Sequence, residues 1–412
     1  MTPLRILWTT PYLPWPTVGG NKVRQFHLLR CLAERGHRIT MLCQSKRALD
    51  EATRTRLEPL LEHLVVLERR ARKHWLTLAA VPFSPYPVVV SVNGLSRPLR
   101  RTLSELLTQS WDAVHVEHSY GLQSLLPALK QHRQPFVLSE HNVESTLVQA
   151  TDYHPRLPPL VRPLLQKHDL WRYQWWERRA MRAAARVVAV TPQDASELAQ
   201  ISGRPVDYVA NGVDARYFAT VQPAVTSRRV MFIGNYEYPP NAEAVEWALQ
   251  EIMPRIWRQM SDASFLVCGH GMPSSWRERW RDSRIEFRGF VEDVRTEQSR
   301  SALLLAPLKS GGGSKLKVLE AMAAGLAVVC TPEGVSGLAV QSSREYCEGR
   351  SAEELASQVV ELLRDPERVR TVGESARSYV RQSHDWRALA EQMEAIYREL
   401  PQHRELPAVE PA

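Results

Sequence analysis

The chain has 412 residues, a length that exceeds one ordinary hydrophobic core and indicates two domains. Charged residues make up 24% of the chain, which is typical of a soluble globular protein. The sequence has no short-period repeat, so it does not indicate a repeat array. The formal net charge of +8 fits an anionic partner, such as a phosphorylated ligand or an acidic membrane surface. A basic surface that faces only water fits the same charge.

The cysteines and the N-terminal sequence indicate the cellular compartment of the protein. Five cysteines, an odd number without a CxxC pair, indicate reduced thiols in a cytosolic protein. The first 16 residues hold an apolar run that prolines interrupt and that is too short for a signal peptide. Because no run of about 18 apolar residues occurs, we expect a cytoplasmic protein. Peripheral contact with the inner face of a membrane stays open.

The N-terminal half alternates short apolar strands with helical periodicity. The pattern predicts a buried strand at 4–10 and another at 37–43, joined by a helix that ends at Gly36. This order predicts a parallel sheet with right-handed crossovers. Further strands are predicted at 113–118, 135–140, 186–191 and 206–212.

The pattern restarts after residues 219–229, which have no periodicity and are predicted to be a linker. We therefore expect an α/β fold of two doubly wound, Rossmann-like domains that face each other across a cleft. Ligands of such sheets bind at the carboxyl ends of the strands. Strands are predicted at 230–235, 264–271, 285–290, 302–307 and 326–331. Helices are predicted at 241–260, 314–324, 351–364, 366–382 and 385–400, and residues 401–412 are expected to be a disordered tail.

A glycine-rich loop between a strand and a helix is the strongest local signal in the sequence. Glycines let the backbone approach a ligand, and the first amides of a helix attract an anion, most simply a phosphate. Nearby lysines add positive charge, and a carboxylate on an otherwise apolar helix can accept hydrogen bonds from ribose hydroxyls. A flexible turn with a solvated acid is the alternative. The residues concerned are Gly311, Gly312, Gly313, Ser314, Lys315, Lys317 and Glu320.

The absence of three motifs argues against particular classes of protein. The sequence has neither a GxxxxGK[ST] string nor a GxGxxG string, which argues against a Walker loop and a dinucleotide oxidoreductase. It also has no DxD string, a common metal-binding motif of metal-dependent glycosyltransferases. We therefore expect no metal and no cofactor, with the helix terminus and the lysines neutralising a diphosphate.

Several strings, in order, resemble the retaining GT-B glycosyltransferases of group 1 (family 4-like). The clearest are GGGSKLKVLEAMAAGLAVVCT, GGNKVRQFHLLRCLAERGHRITML, RVVAVTPQDASEL, VANGVDARYF, FLVCGHG and IEFRGFVEDV. The resemblance spans roughly residues 4–400. It implies an acceptor-side domain at 1–220, a domain that binds a nucleotide-diphosphate sugar at 221–384, and a last helix at 385–400 that returns to the first domain.

The resemblance carries over to single residues of the second domain. Glu320 matches the second glutamate of an E-x7-E signature, which holds the ribose, whereas Gly312 stands where the first glutamate is expected. Family members often place an arginine and a lysine after the first strand of this domain, and this chain has Asn235 and two prolines there. Our hypothesis is that Lys315 or Lys317 supplies the missing charge.

Polar residues follow two strands of the first domain. The resemblance places a histidine that faces the donor sugar near Glu117 and His118, whereas His115 is expected to pack within its strand. Ordinary loop polarity is the alternative. A strand end also precedes Glu140, His141 and Asn142, which we expect to contact donor or acceptor; capping of the next helix is the other explanation. Glu117, His118 and His141 are the catalytic candidates, and Glu140 and Asn142 the acceptor-side candidates.

Glycine turns complete the predicted site. The resemblance places Gly19 and Gly20, which open the first long helix, near the donor phosphates and the acceptor. Asn211 and Gly212 are expected to form a structural turn. The turn at 269–271, with Gly269 and His270, is expected to admit the base or ribose, although His270 could equally be an exposed loop residue.

The segment 171–186 is basic and aromatic at helical spacing. It predicts an amphipathic helix packed on its sheet, and a membrane-surface helix stays open as the alternative. Nucleic-acid binding is not expected, because the positive charges are spread out and no nucleic-acid motif occurs.

These features predict a retaining, metal-independent glycosyltransferase. It would move a sugar from a nucleotide-diphosphate sugar to a glycan or a lipid-linked acceptor, in cell-surface polysaccharide or glycolipid synthesis. The alternatives are a sugar-nucleotide epimerase of the same architecture and a non-catalytic protein that binds sugar nucleotides, which the absent glutamate at Gly312 keeps open.

Overall fold

The computed structural model describes residues 2–17, 19–46, 48–69, 84–87, 96–150, 162–310 and 315–401. The chain forms two compact units. The first unit runs to Ala210 and resumes at Ala390, and the second is Asn211–Leu389. Each unit is built on its own sheet, so each has its own hydrophobic core.

The first unit contains a seven-stranded parallel sheet in the order β3-β2-β1-β4-β5-β6-β7. Its central strands are buried on both faces, since helices cover a parallel sheet from both sides. The strands are β1 Arg5–Thr10, β2 Arg38–Ser45, β3 His63–Glu68, β4 Ala113–Glu117, β5 Val137–Glu140, β6 Arg186–Ala189 and β7 Asp207–Tyr208. The helices are Gly20–Glu34, Glu51–Leu57, Arg97–Leu106, Ser119–Leu122, Leu126–Gln131, Glu144–Ala150, Arg162–Ala183 and Pro192–Ser202, with a 3-10 turn at Glu58–Leu60.

The second unit contains a six-stranded parallel sheet in the order β10-β9-β8-β11-β12-β13. Its strands are β8 Arg229–Asn235, β9 Ser264–His270, β10 Ile285–Arg288, β11 Leu303–Ala306, β12 Ala327–Cys330 and β13 Cys347–Glu348. Its helices are Ala215–Phe218, Pro239–Trp247, Met253–Trp257, Trp276–Arg279, Val294–Ser299, Leu316–Ala323, Ala352–Arg364 and Pro366–Ser383, with a π segment at Ala248–Ile252 and a 3-10 turn at Pro332–Val335. The helix Trp386–Arg398 follows.

Both sheets reverse their strand order at one point, between β1 and β4 in the first and between β8 and β11 in the second. Ligands of doubly wound sheets bind beside such a switch point, outside the carboxyl ends of the strands. In the first sheet these ends lead to Tyr12 and His118, and in the second β8 ends at Asn235. The topology thus places His118 and Asn235, two of the predicted site residues, beside the two switch points.

The predicted strands and helices are found, with local corrections. Only Asp207–Tyr208 of the predicted strand 206–212 pairs in the sheet. The helix predicted at 241–260 begins at Pro239 instead, because proline fits the first turn of a helix, where no amide partner is needed. Strands β3 and β13 were not predicted. The two residues of β13 give almost no periodic signal, and β3 is only half buried.

The described residues 390–401 pack on the first unit. The Glu394 carboxylate accepts hydrogen bonds from Arg35 at 2.7 Å and lies 3.2 Å from His37. The hydroxyl of Tyr397 lies 2.9 Å from Nδ1 of His115 in the centre of the sheet. These contacts link the end of the chain to the interior of the first unit. Within the described residues, no helix combines the length and the hydropathy needed to cross a membrane.

A substitution at Gly269 tests the close packing of β9 against β8 in the second sheet. Its φ is 134°, and a Cβ there would lie 1.8 Å from the carbonyl oxygen of Gly234 on β8. We expect Gly269→Ala to lower the free energy of unfolding by roughly 3 kcal/mol or more, measured by urea denaturation. Gly203→Ala is the control, because Gly203 has positive φ but open space at its Cβ, so it should cost about 1 kcal/mol. Equal losses would contradict the packing explanation.

Candidate functional site

Two neighbouring strands bring the polar residues of the first unit together. β4 and β5 are parallel and pair with Glu117 opposite Ser139, so both strands end at the same edge of the sheet. His118 follows β4 and His141 follows β5, and their ring centroids lie 4.3 Å apart. We call Glu117, His118 and His141, together with His115, the histidine–glutamate cluster. All four side chains are buried.

Glu117 is the centre of this cluster. One carboxylate oxygen lies 3.0 Å from Nε2 of His115 and the other lies 2.7 Å from Nε2 of His141. Although burial opposes ionisation, the two imidazoles hold the pKa of Glu117 below its ordinary value. Glu117 is therefore an ionised carboxylate that orients two histidines and that solvent does not reach.

His115 packs inside the sheet, as predicted. Its ring stacks on Trp8 with centroids 3.8 Å apart, and Tyr397 donates a hydrogen bond to its Nδ1. Burial lowers the pKa of His115, so its ring is neutral and carries its proton on Nε2, where Glu117 accepts it. His115 thereby acts as a support for Glu117.

His118 has an unusual backbone and a defined partner. Its φ is 63°, a left-handed value that costs a non-glycine residue energy. The hydroxyl of Tyr12 accepts a hydrogen bond from Gln25 at 3.1 Å and lies 2.6 Å from Nε2 of His118. Burial and the neighbouring His141 keep the pKa of His118 well below its ordinary value. Burial thus favours a neutral imidazole at His118.

Two ring nitrogens of the cluster have no hydrogen-bond partner within the described part of the chain: Nδ1 of His118 and Nδ1 of His141. Buried polar atoms of this kind normally have a partner in the protein, in water or in a ligand. Each ring uses Nε2 within the cluster, toward Tyr12 in His118 and toward Glu117 in His141, and offers Nδ1 as its second nitrogen. The pair can therefore bind hydroxyl or phosphate oxygens.

The metal-binding capacity of the cluster is limited by its own hydrogen bonds. Ligand atoms of Glu117, His118 and His141 all lie within 4.8 Å of one another, a spacing that could hold a metal ion. However, both oxygens of Glu117 already face imidazole nitrogens, and Nε2 of His118 faces Tyr12. A cation bound to Nε2 of His118 or of His141 would have to displace one of these bonds. The absence of a metal from the reaction stays a prediction.

Glu140 and Asn142 were predicted on the acceptor side. Glu140 is buried, and one of its oxygens accepts a hydrogen bond from the amide of Ser119 at 2.7 Å. Burial, with a contribution from Glu144, raises the pKa of Glu140 well above its ordinary value and so favours the neutral acid. Asn142 is half-buried. Their role toward an acceptor stays a prediction.

Gly19 and Gly20 begin the first long helix, as the sequence predicts. Gly19 precedes the helix Gly20–Glu34 with a φ of 96°, and its carbonyl accepts hydrogen bonds from Lys22 and Val23. A positive φ favours glycine at this position. This loop follows β1, the strand next to the switch point of the first sheet.

The glycine loop of the second unit lies outside the described residues. This loop consists of Gly311, Gly312, Gly313 and Ser314. The description resumes at Lys315, whose ammonium lies 2.9 Å from a carboxylate oxygen of Glu333. Lys315 is 6% exposed. An ion pair already engages this lysine, so it is the weaker of the two candidates for the missing charge.

Lys317 contacts both β8 and the helix that follows it. Its ammonium donates a hydrogen bond to the side-chain oxygen of Asn241 and lies 4.6 Å from the centroid of Phe232 on β8. The side-chain nitrogen Nδ2 of Asn241 in turn donates to the backbone carbonyl of Asn235 at 2.7 Å. This chain of contacts connects Lys317 to the loop after β8, beside the switch point. Burial, with the nearby Lys315, lowers the pKa of Lys317 to about 7.

Glu320 lies one turn further along the same helix, Leu316–Ala323. Burial raises the pKa of Glu320 to about 7, and Lys317 partly offsets this shift. Its neighbours Leu319 and Ala321 belong to the core. The helix therefore carries one cation and one acid, three residues apart, on its side away from the core.

The turn at 269–271 has a structural explanation for its glycines. Gly269 must lack a Cβ because β8 passes so close to it. His270 is exposed, with 58% of its side chain accessible, and its ring lies 3.7 Å from Glu237. The predicted contact of this turn with the base or ribose stays a prediction.

Sequence reasoning missed three residues of these networks: Tyr12, Gln25 and Asn241. Tyr12 lies among prolines two residues after β1, and Gln25 and Asn241 lie on helices where polar residues are common. The position of Tyr12 and Asn241 beside the switch-point strands β1 and β8 is the signal that could have found them.

Comparison with known proteins agrees with the fold of two parallel-sheet units. Residues 18–217 match the family model described as Glycosyltransferase Family 4, and residues 227–365 match the one described as Glycosyl transferases group 1. Among solved structures, the Anabaena protein HepE, in complex with UDP and glucose, aligns with a TM-score of 0.63 and 16% identity over 96% of this chain and 100% of that one.

Two curated relatives are named enzymes. The N-acetyl-alpha-D-glucosaminyl L-malate synthase of Bacillus anthracis is 22% identical over 401 residues, which are 93% of this chain and 94% of the relative. The GDP-mannose-dependent monoacylated alpha-(1-6)-phosphatidylinositol monomannoside mannosyltransferase of Corynebacterium glutamicum is 24% identical over 215 residues, 47% of this chain and 56% of the relative.

The protein is therefore a glycosyltransferase of the GT-B fold. It carries a family 4 domain in its N-terminal half and a group 1 domain in its C-terminal half. The predictions of two Rossmann-like α/β domains and of a glycosyltransferase are confirmed.

The free energy of unfolding can be used to test whether Glu117 is ionised. Glu117→Gln removes the carboxylate that accepts from two buried imidazoles, so we expect the free energy of unfolding at pH 7 to fall by about 3 kcal/mol. The matched control is Glu140→Gln: burial favours the neutral form of Glu140, which glutamine mimics, so the loss should stay below about 1 kcal/mol. Urea denaturation measures both.

The pH dependence of Glu117 has a defined sign. Its lowered pKa means that the stabilisation is present above the ordinary value of 4.5 and is lost as pH falls through the folded-state pKa. The difference between wild type and Glu117→Gln should therefore shrink below pH 4.5. An equal effect of the two substitutions, or no loss of the difference in acid, would contradict an ionised Glu117.

Proposed function

We propose that this glycosyltransferase moves a sugar from a nucleoside-diphosphate sugar to a glycan or lipid-linked acceptor, with retention of the anomeric configuration. It needs neither a metal nor a cofactor. The observation that carries the donor assignment is the lysine–asparagine contact beside β8, followed by the acid at Glu320 on the same helix. HepE, the structural neighbour crystallised with UDP and glucose, supports this class of donor.

The second unit holds the nucleotide in this proposal. The ammonium of Lys317 and the amides at the start of its helix neutralise the diphosphate, whose charge grows when the sugar–phosphate bond breaks. Glu320 accepts hydrogen bonds from the ribose hydroxyls. Lys317 therefore takes the part of the basic residues that are absent after β8, where Asn235 stands instead.

The first unit supplies His118 and His141 for the sugar or the acceptor. His118 donates from Nδ1 to a sugar or phosphate oxygen, and Glu117 orients His141 toward a hydroxyl. Glu117 is a positioning residue, because it is sealed from solvent by the two imidazoles that it holds. The lipid acceptor in the name of the Corynebacterium relative supports a lipid-linked acceptor, and cell-surface glycan or glycolipid synthesis in the cytoplasm is the corresponding role.

Transfer itself is testable with purified protein. A panel of nucleotide sugars is screened for thermal stabilisation, since a ligand of the folded state raises the unfolding temperature. The best donor is then incubated with candidate acceptors in the presence of EDTA, and the anomeric proton of the product is assigned by NMR. The proposal expects EDTA-resistant transfer with retention. Interconversion of sugar nucleotides without an acceptor would instead identify an epimerase, and binding without turnover a non-catalytic protein.

Glu320→Ala should reduce kcat/KM for the donor by about 10- to 100-fold, the value of one or two hydrogen bonds to a charged group. Glu333→Ala, which removes the ion-pair partner of Lys315 without touching Lys317, is the comparison and should have a smaller effect. Full activity of Glu320→Ala would remove the ribose assignment. Initial rates at subsaturating donor measure the change.

The lowered pKa of Lys317 predicts pH-dependent binding of nucleotide. Because a diphosphate binds the protonated ammonium, affinity for UDP or GDP should fall as pH rises from about 7 to 9, by up to about tenfold per pH unit. Lys317→Arg, which stays protonated, should flatten this dependence. Calorimetry at several pH values measures it.

Glu320 also has a raised pKa, so its contribution is separated with a second variant. In Glu320→Gln the fall in affinity should persist, because it originates from Lys317. A wild-type affinity that is constant from pH 7 to 9, or a dependence that disappears in Glu320→Gln, would contradict the role of Lys317.

A further inference from the structure

A basic groove on the first unit shares no residue with the histidine–glutamate cluster. It has a volume of about 920 Å³ and lies between the helices Leu126–Gln131 and Arg162–Ala183. No acidic residue is among the described residues that line it. Its cations, which define the basic groove, are Lys130, Arg133, Arg178, Arg179, Arg182 and Arg204.

These cations are exposed and are not neutralised by the protein. Within the described part of the chain, none of them forms an ion pair. Arg204 donates to the carbonyl of Ala184 at 2.9 Å and Arg182 to the carbonyl of Ser202 at 3.3 Å, which fixes the two side chains in the wall. Six like charges around one groove repel each other, so an anionic partner gains from the whole set.

An exposed apolar stripe continues the groove along the helix Arg162–Ala183. Leu164, Trp171 and Trp175 recur with the spacing of one helix face, and the series ends at Arg178 and Arg182 of the groove. The exposed fractions are 72% for Leu164, 59% for Trp171 and 36% for Trp175. We call these three residues the tryptophan stripe.

The opposite face of the same helix is fully used by the fold. Tyr173, Trp176, Ala180 and Met181 are buried in the first unit, and the indole of Trp176 donates to the carbonyl of Ser119 at 3.0 Å. The exposed tryptophans are therefore not required to anchor the helix. With 22 residues the helix is about 33 Å long, enough to present apolar and basic residues along one plane.

We propose that the basic groove and the tryptophan stripe together form a docking surface for an acidic membrane. Tryptophan favours the boundary between lipid chains and headgroups, and clustered arginines attract anionic headgroups, by about 1 kcal/mol each near the surface. A soluble polyanion would use the arginines but would leave the exposed leucine and tryptophans without a partner. The surface lies on the unit that we propose to receive the acceptor, although the inference does not depend on the donor or on catalysis.

Vesicle co-sedimentation tests the surface with the full chain. Wild type should bind phosphatidylcholine vesicles that contain 30% phosphatidylglycerol and should not bind pure phosphatidylcholine, and 0.5 M salt should weaken binding. The variant Arg178→Ala/Arg179→Ala/Arg182→Ala should bind about a hundredfold more weakly, and Trp171→Ala should also lose affinity.

The matched control removes three exposed arginines of the second unit, as Arg281→Ala/Arg364→Ala/Arg381→Ala, and should bind as wild type. Thermal unfolding by circular dichroism shows whether each variant is folded. Equal binding of the two triple variants would overturn the proposal. So would retention on a heparin column without binding to vesicles, since that result identifies a soluble polyanion as the partner.

Site-directed labelling reports insertion directly. All five native cysteines are buried, so a new exposed cysteine can be labelled selectively. An environment-sensitive fluorophore on Leu164→Cys should shift to shorter wavelength when acidic vesicles are added, whereas the same label on Ser357→Cys, in the second unit, should not. No shift at position 164, or an equal shift at both positions, would also overturn the proposal.

Discussion

The reversal of strand order in each parallel sheet is the constraint on which the candidate sites depend. At the reversal between β1 and β4, no crossover helix of the described residues covers the carboxyl ends of the strands. The histidine–glutamate cluster lies at these ends. Beside β8 and β11 the reversal leaves room for the contact between Lys317 and Asn241. The fold thus fixes the positions at which chemistry is feasible, and the side chains decide which chemistry.

Buried charge is handled differently in the two units. In the first, Glu117 stays ionised because two imidazoles donate to it, and it can in turn hold them in fixed orientation. In the second, Lys317 and Glu320 both have their pKa moved toward 7 by burial, so their charge is easily changed by a ligand. A buried carboxylate that holds two imidazoles suits positioning of a ligand, whereas a lysine with a lowered pKa suits binding of an anion.

Much of the fold was predictable because parallel strands buried on both faces give continuous apolar runs, as in the strands at 4–10 and 264–271. The two-residue strand β13 gives no such run, and the half-buried strand β3 has only the four apolar residues 64–67, so both were missed. The helix after β8 was placed two residues late, because its opening prolines were interpreted as a departure from the family pattern rather than as its first turn.

The sequence by itself determined the class of this protein: its strand–helix order, its serial motifs, the acid at Glu320 and the histidines after β4 and β5. Only the tertiary structure decided which of these residues act together. It engaged Lys315 with Glu333, joined Lys317 to Asn241 across 76 positions, and brought Tyr397 to His115 from the far end of the chain. Periodicity records which face of an element is apolar, but partners that are distant in sequence become neighbours only when the sheets form.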